Sequence, residues 1–493
     1  MPINQTFLRI PHSLAALVLT LFVACASTGP RDVNTMADRT GSRPYPVLAA
    51  RIERILADTL FPPSSAGIMI YSLTRREVLY SLNPDLLFAP GSNQKLITAA
   101  AALELLDADF HFATDIFIDS VDSKRLIIRG SGDPLLDETD LDSIASLIAQ
   151  MIDSTATWEL VGDQSRFDNI PKGKGWMWDD DPYVAPISAF SLNGNSIEVL
   201  VRPGLHAGDP TTATLMNSPP GLVALDNHST TGSSGKDDSL TFERSAGQEI
   251  DLISIEGTIG PERKESRTGI GVSDPGEYFL KVLSAKLASH GVTVANSCIG
   301  IAPEEDPPLF TYSREIDSVL HFMLKESDNL SGECLFRTLG RAVSGQPGST
   351  EGGILALKTV LHRFGIDSAN VGIADGSGVS RYNLATARVL IQVLEALYQR
   401  GHIFERFRLA LPVAGVDGTL STRMKGTPAQ GKLMAKTGTL RGASSLSGYV
   451  TMADGEFLAF AILMQNYPTG PRDYRNAQDS IGVYLSASRR SDF

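Results

Sequence analysis

The sequence predicts an α+β protein in which one antiparallel sheet, packed against helices, is interrupted by a large β-rich insertion. Strand patterns stand near both ends of the 493-residue chain, and helical patterns dominate residues 309–405. Many short strands, separated by turns rich in Gly, Ser and Asp, fill residues 111–308. Strands at both ends with helices between them are typical of domains whose terminal segments share one sheet.

Composition is that of an ordinary globular protein. Apolar residues make up 42% of the chain and charged residues 20%, and the length suffices for two or three domains. The net charge of -13 argues against a nucleic-acid partner. Of the three cysteines, Cys298 and Cys334 are too few for a disulfide framework, and we expect Cys334 to be a buried, inert thiol. No Cys/His cluster has the spacing of a metal site.

Residues 1–25 are predicted to be an export signal. Arg9 precedes an apolar stretch, 14–24, which is too short to remain as a membrane-spanning helix. The stretch ends at Cys25, after a small residue, as in a bacterial lipoprotein box, so we expect Cys25 to be lipidated. Cleavage near Ala26 without a lipid is the alternative. The protein would then be exported, to the periplasm or the cell envelope, with residues 26–46 as a tether.

Residues 47–110 are predicted to be the first segment of the main domain. Leu48, Ile52 and Leu56 fall at helical spacing, and the runs 67–71 and 77–81 around a polar turn predict a hairpin. Pro90-Gly91 then breaks the chain before a second helix.

The insertion, 111–308, is expected to hold one helix, 276–290, and to end at the Pro- and acid-rich run 303–308. Residues 309–493 complete the main domain. After the helices, the apolar runs 446–452 and 457–464 flank an Asp-Gly turn and predict a closing hairpin.

Ser92-Asn93-Gln94-Lys95 is an S-x-x-K pattern that opens the second predicted helix. Three residues are nearly one helical turn, so Lys95 is expected on the same face as Ser92. An amine beside a hydroxyl accepts its proton when the amine is neutral, which burial and a nearby cation favour. The helix N-terminus offers a backbone N–H to an oxyanion. The simpler alternative is a helix-capping serine followed by a solvated lysine.

Ser327-Asp328-Asn329 lies at a predicted helix junction. We expect Ser327 to pass a proton to a leaving amine and Asn329 to hydrogen-bond the substrate backbone. Capping of the helix by these polar residues is the alternative. Because 92 and 327 must meet across one cleft, the residues between them are best explained as an insertion.

Lys436-Thr437-Gly438, followed by Thr439, lies on a predicted strand. Lys436 and the Thr437 hydroxyl are expected to bind a substrate carboxylate. Gly438 would let the substrate backbone approach closely, and Thr439 would supply a second oxyanion N–H. A solubilising cation on an edge strand is the alternative. Together the three motifs supply a nucleophile, a proton path and a carboxylate clamp for acyl transfer without histidine.

These motifs and their neighbours resemble the D-alanyl-D-alanine carboxypeptidases/endopeptidases known as class C low-molecular-weight penicillin-binding proteins. The resemblance covers nearly all of the chain after the signal. It rests on the segments 90–95, 162–168, 191–193, 327–329, 375–381 and 436–438. It implies a penicillin-binding/serine β-lactamase-like transpeptidase domain, a large insertion between the first two motifs, and no cofactor.

The resemblance also implies roles and partners. Ser92 would be the acylated nucleophile, Lys95 the general base, and Lys436 with Thr437 the site for the terminal D-Ala carboxylate. Peptidoglycan stem peptides would be the substrates and β-lactams the acylating inhibitors. Asp163 and Arg381 match places that recognise the stem side chain, and one anion with one cation suits meso-diaminopimelate. Alternatively, Asp163 caps a turn and Arg381 braces a loop.

Two other functions remain open from the sequence. A β-lactamase or esterase would share the same site but would need an efficient deacylating water. A non-catalytic wall-binding scaffold would keep the fold without the chemistry, although each of the three motifs is intact.

Overall fold

The computed structural model describes residues 42–59, 64–176, 184–234, 238–245, 250–302, 307–468 and 470–493. The predicted signal, Cys25 and most of the predicted tether lie outside these ranges. The end of the tether is folded onto the main domain: Ser42 N donates to Ser81 Oγ (2.7 Å), and the Tyr45 hydroxyl donates to Glu77 Oε2 (3.0 Å).

The described residues form the following elements. The helices are α1 (Pro46–Thr59), α2 (Gln94–Leu105), α3 (Glu138–Met151), α4 (Pro275–Ser289), α5 (Ile316–Lys325), α6 (Asn329–Ser344), α7 (Thr350–Arg363), α8 (Ala387–Tyr398), α9 (Gly401–Ala410) and α10 (Arg472–Ala487). The strands are β1 (Ser65–Ser72), β2 (Glu77–Leu82), β3 (His111–Ile118), β4 (Arg125–Gly130), β5 (Thr157–Asp163), β6 (Ser196–Arg202), β7 (Thr212–Leu215), β8 (Val223–Asn227), β9 (Thr230–Thr231), β10 (Thr241–Ser245), β11 (Asp251–Glu256), β12 (Thr258–Ile259), β13 (Ser266–Gly271), β14 (Thr293–Gly300), β15 (Phe310–Glu315), β16 (Leu433–Leu440), β17 (Ala443–Thr451) and β18 (Phe457–Gln465).

One antiparallel sheet unites the two ends of the chain, in the order β16-β17-β18-β1-β2. Ser65 on β1 pairs with Gln465 on β18, and Lys436 on β16 pairs with Ser447 on β17. The predicted α+β class, with strands from both ends in one sheet, is therefore confirmed. The strand β16, which carries the third motif, lies at the edge.

Helices cover both faces of this sheet, so β17 and β18 are buried along almost their whole length, and β18 is almost entirely apolar. Successive side chains of a strand point to opposite faces. Accordingly, Ala461 packs into a core formed with α2 and α5–α9, whereas Ile462 packs into a second core formed with α1 and α10. The α2 helix, which follows the first motif, is buried along nearly its whole length in the first core.

The insertion is built on a second five-stranded sheet, in the order β14-β5-β4-β3-β15. The β14–β5 and β5–β4 pairs are parallel, and the β4–β3 and β3–β15 pairs are antiparallel. Helices α3 and α4 pack on this sheet around a core of their own. Smaller sheets, β13-β6-β7, β10-β11-β8 and β12-β9, form the remainder of the insertion.

The sequence-based outline of the insertion needs two corrections. It predicted one helix, but α3 precedes α4, whose position agrees with the predicted 276–290. It also ended the insertion at 308, but β15 pairs with β3 and thus continues the inserted sheet to Glu315. Among the described residues, none of the helices combines the length and apolar character needed to cross a bilayer.

Candidate active site

The first motif lies where a 3₁₀ turn, Gly91–Asn93, leads into α2. Gly91 has φ +53°, a conformation that favours glycine, so the chain can turn sharply just before Ser92. Lys95 follows in the first turn of α2, and its Nζ lies 3.1 Å from Ser92 Oγ. The predicted adjacency of hydroxyl and amine is therefore present. Lys95 is fully buried, so the alternative of a solvated lysine is wrong.

Lys95 has acceptors on three sides. Besides Ser92 Oγ, its Nζ donates to Asn329 Oδ1 (2.7 Å) and to the Ser377 carbonyl (2.8 Å). Burial lowers the pKa of Lys95 to about 8, although the carboxylates of Asp328 and others nearby oppose this shift. After loss of one proton, two N–H groups can keep Asn329 and Ser377 while the lone pair faces Ser92.

The second motif joins α5 to α6. Asp328 caps α6 by accepting a hydrogen bond from Ser331 N (2.6 Å), so the predicted alternative of capping holds for this residue. Ser327 adopts φ +65°, which is uncommon for a residue other than glycine. This turn places Ser327 Oγ 2.7 Å from Lys436 Nζ, while Asn329 contacts Lys95.

Lys436 is fully buried although β16 is an edge strand, so a solubilising role is wrong. Its Nζ donates to Ser327 Oγ (2.7 Å) and to the Thr437 carbonyl (3.0 Å). Its own carbonyl accepts a hydrogen bond from Asn93 Nδ2 (2.9 Å), which joins β16 to the turn that carries Ser92. Burial, and then the charge of Lys95, hold the pKa of Lys436 well below its ordinary value.

Gly438 is required by the protein backbone itself. A Cβ at this position would lie 2.5 Å from the Pro90 carbonyl oxygen and 3.1 Å from Ser92 N. Likewise, a Cβ on Gly91 would lie 3.1 Å from Thr439 N. The absence of these side chains lets β16 run directly beside the nucleophile, and it brings the backbone nitrogens of Ser92 and Thr439 close to one another.

A cavity of about 280 Å³ opens beside Ser92 and Ser327. The remaining residues that line it are Thr419, Arg423, Thr437, Gly438, Thr439 and Arg475. The Thr437 hydroxyl donates to Thr419 Oγ1 (2.9 Å). The two arginines and Thr419 belong to no motif and were not identified from the sequence.

Behind Lys95 lies a buried loop, residues 375–378, held by the buried carboxyl of Glu333. Glu333 Oε1 accepts hydrogen bonds from Gly376 N (3.1 Å) and Ser377 N (2.8 Å), so the loop presents the Ser377 carbonyl to Lys95. Burial, with the nearby Asp375, raises the pKa of Glu333 to about 8. The sequence carried a signal for this residue, since Glu333 stands one helical turn after Asn329.

The two residues expected to recognise a stem side chain are placed differently. Asp163 is fully buried, and its carboxylate accepts from Arg129 Nε (2.8 Å), Ala302 N (2.9 Å) and Ser165 N (2.9 Å). These contacts favour the alternative of a carboxylate that caps a turn. Arg381 is exposed and donates to the Arg441 carbonyl (2.6 Å), which braces the loop but leaves much of the guanidinium accessible. Side-chain recognition by this pair stays a prediction.

The cysteines offer no second nucleophile among the described residues. Cys334 is fully buried, and burial raises the pKa of its thiol, as expected for an inert side chain. Cys298 is exposed on β14, in the insertion.

Comparison with known proteins agrees with this geometry. The family model described as D-Ala-D-Ala carboxypeptidase 3 (S13) matches residues 48–488. The D-alanyl-D-alanine carboxypeptidase of Actinomadura sp. (strain R39) is 33% identical over 476 residues, which cover 92% of this chain and 86% of that protein. DacB of Haemophilus influenzae, also a D-alanyl-D-alanine carboxypeptidase, is 27% identical over 429 residues, covering 83% of this chain and 86% of DacB.

A solved structure extends the likeness to three dimensions. Penicillin binding protein 4 (dacB) from H. influenzae superposes with a TM-score of 0.78 at 25% identity, over 88% of this chain and 98% of that one. The match therefore includes the insertion as well as the main domain. The chain belongs to the D-Ala-D-Ala carboxypeptidase 3 (S13) family.

Proposed function

We propose that this protein is a serine D,D-peptidase, a carboxypeptidase and endopeptidase, that cleaves peptidoglycan stem peptides through an acyl-enzyme at Ser92. The observation that carries the proposal is the buried Lys95 amine, 3.1 Å from Ser92 Oγ, with its pKa lowered to about 8. Relatives named D-alanyl-D-alanine carboxypeptidase support the choice of substrate.

Acylation begins with neutral Lys95. Its lone pair accepts the Ser92 proton as Ser92 Oγ attacks the carbonyl carbon of the penultimate D-Ala. The oxyanion forms beside the backbone N–H groups of Ser92 and Thr439, which stabilise its charge. The C–N bond then breaks, and the leaving amine needs a proton.

Ser327 delivers that proton. Its oxygen accepts a hydrogen bond from Lys436 Nζ (2.7 Å), so its own O–H is free to donate to the leaving nitrogen. The proton that Lys95 took from Ser92 then restores the Ser327 hydroxyl, which leaves Lys95 neutral again. Asn329 holds Lys95 and hydrogen-bonds the substrate backbone. Lys436 and Thr437 contribute to binding the terminal carboxylate.

Deacylation repeats the chemistry with water. Water attacks the ester carbonyl while Lys95 accepts its proton, and the tetrahedral intermediate then expels Ser92 Oγ, which recovers a proton from Lys95. The products are the shortened stem peptide and, from acylation, free D-alanine or the freed strand of a cross-link. A β-lactam acylates the same serine, which accords with the name penicillin binding protein for the H. influenzae relative.

The test is a mass-spectrometric time course of the mature protein with benzylpenicillin. We expect a lasting adduct that maps to Ser92 and is absent from S92A. Consumption of penicillin without a lasting adduct would instead identify a β-lactamase or esterase. If no adduct forms and penicillin is not consumed, the protein is instead a non-catalytic wall-binding scaffold.

We also propose that the protein is exported and held at a membrane by a lipid on Cys25. The apolar stretch before Cys25 in the sequence supports this location. Labelling of cells with a fatty-acid analogue should mark the wild-type protein and not C25A. Equal absence of label from both proteins would favour cleavage without lipid.

A further inference from the structure

Arg475, on the first turns of α10, reaches the cavity beside Ser92. It is half-buried, and its Nη2 donates to Thr439 Oγ1 (3.0 Å) at the end of the third motif. Helix α10 packs mainly against the opposite core of the sheet, through residues such as Tyr474 and Ile481. Packing against this core accounts for the helix, but it does not account for a guanidinium in the cavity beside Ser92.

The two arginines that line the cavity differ in whether a carboxylate neutralises their charge. Arg423 forms an ion pair with Asp479 (2.7 Å) and donates to Gln478 Oε1 (3.2 Å). In contrast, within the described ranges no carboxylate lies at ion-pair distance from Arg475. A guanidinium stays protonated at all working pH values and offers five N–H donors. Arg475 thus brings an uncompensated positive charge to the cavity.

Lys436 is the other basic side chain expected near the substrate carboxylate, but its Nζ is already engaged by Ser327 Oγ and the Thr437 carbonyl. It is also fully buried beside Lys95, and these surroundings favour its neutral form. A carboxylate entering the cavity needs a cation that keeps its charge and has donors to spare.

We propose that Arg475 binds the α-carboxylate of the leaving D-residue, together with the hydroxyls of Thr437 and Thr439. This inference rests on the D,D-peptidase function proposed above and adds a specificity-determining residue to it. Lys436 then serves chiefly the proton path through Ser327. Thr439, already held by Arg475, places its hydroxyl beside the same carboxylate oxygen.

The test compares two thioesters of one peptidyl-D-alanine, with mercaptoacetate or mercaptoacetamide as the leaving group. They differ only by a carboxylate against a neutral amide, and both are reactive enough to follow. The selectivity is the ratio of their kcat/KM values. We expect the wild-type protein to prefer the substrate with the carboxylate. In R475Q the ratio should fall about 10- to 100-fold, as expected when one charged hydrogen bond is lost.

The matched control is R472Q, in the first turn of the same helix, because Arg472 is exposed and does not line the cavity. R472Q should keep the wild-type ratio. R475K is the second variant if R475Q does not fold. It retains a charge without the planar fork, so we expect a smaller loss, about threefold to tenfold.

An unchanged ratio in R475Q or R475K would overturn the inference, as would an equal loss in R472Q. Failure of the underlying function looks different. In that case wild type would turn over neither thioester, and benzylpenicillin would leave no adduct on Ser92.

Discussion

At the residue scale, the proposed chemistry depends on a lysine, Lys95, that must lose its proton before it can act as a base. Burial lowers the pKa of Lys95 to about 8, far below that of a solvated lysine. Lys436 is buried as well, and the charge of Lys95 adds to that burial in disfavouring the charged form of Lys436. The S-x-x-K spacing alone predicted that Ser92 and Lys95 are adjacent, but it could not predict which groups would hold the amine.

The pH dependence of acylation follows from this pKa. We propose the neutral amine as the base, so the rate of acylation by benzylpenicillin should rise with pH, level off above about 8, and lie about 100-fold below its plateau at pH 6. Stopped-flow or mass-spectrometric acylation rates between pH 5.5 and 9.5 measure the profile. A flat or falling profile would contradict the role of Lys95.

Glu333 titrates in the same range, since burial raises its pKa to about 8, so a variant must separate the two groups. E333Q removes that titration and keeps an oxygen for the N–H groups of residues 376 and 377. The rising limb should persist in E333Q if it belongs to Lys95, and disappear if it belongs to Glu333.

The motif residues could be identified from the sequence because each motif is a short pattern, and helical spacing predicted that Ser92 and Lys95 are adjacent. Arg475 and the Ser377 carbonyl have no such signal. Each reaches the site through packing between elements distant in sequence, and an arginine early in an amphipathic helix looks like an ordinary surface residue. Asp163 is the opposite case. A carboxylate suits the binding of a substrate cation, but in the structure Asp163 is buried and pairs with Arg129 of the protein itself.

At the element scale, the edge strand β16 is the part of the sheet that we propose contacts the substrate. Its neighbours β17 and β18 form the hairpin predicted from the Asp-Gly turn. In contrast, α3 was missed although Leu141, Ile144 and Ile148 stand at helical spacing and Asp137 caps its N-terminus. A short helix among many strand signals is hard to separate from them by pattern alone.

Substitution of Gly438 shows whether acylation requires the close approach of β16 to Ser92. In G438A, the added methyl group would meet the Pro90 carbonyl at 2.5 Å, so the strand must shift away from Ser92. We expect acylation at least about tenfold slower and the free energy of unfolding lower by about 1–3 kcal/mol.

Acylation rates and urea unfolding measure the two effects. G401A is the control, because no atom outside its own helix lies within 4 Å of a Cβ at that position. Normal acylation by G438A would show that the close approach is not needed for catalysis.

At the scale of the whole molecule, the insertion contacts the loop that holds Lys95. Trp176 donates from Nε1 to Asp375 Oδ2 (2.9 Å), at the start of the loop whose Ser377 carbonyl contacts Lys95. The buried Arg337 of α6 also pairs with Asp168 of the insertion. The boundary at 308 could not be predicted correctly because β15 returns to β3 across the whole insertion, a pairing that local patterns do not encode.

W176F tests this attachment. The variant keeps an aromatic ring but removes the N–H, so we expect a loss of about 1–2 kcal/mol in unfolding free energy and slower acylation by penicillin. W158F is the matched control, since Trp158 donates to the Asp153 carbonyl (3.0 Å) inside the insertion. It should lose similar stability with an unchanged acylation rate. If W176F were acylated as fast as W158F, the contact between the insertion and residue 375 would not affect catalysis.

The pairing of β1 with β18 also has a consequence for biosynthesis. Ser92 and Lys95 are translated early, but the strand that carries Lys436 and the strands that join it to β1 come late in the chain. Until those strands are made, Ser327 lacks its hydrogen bond from Lys436, and Gly438 and Thr439 do not yet lie next to the turn that carries Ser92. A chain that ends before β16 therefore holds Ser92 and Lys95 without the third motif, and the candidate site is complete only after nearly the whole polypeptide has been made and folded.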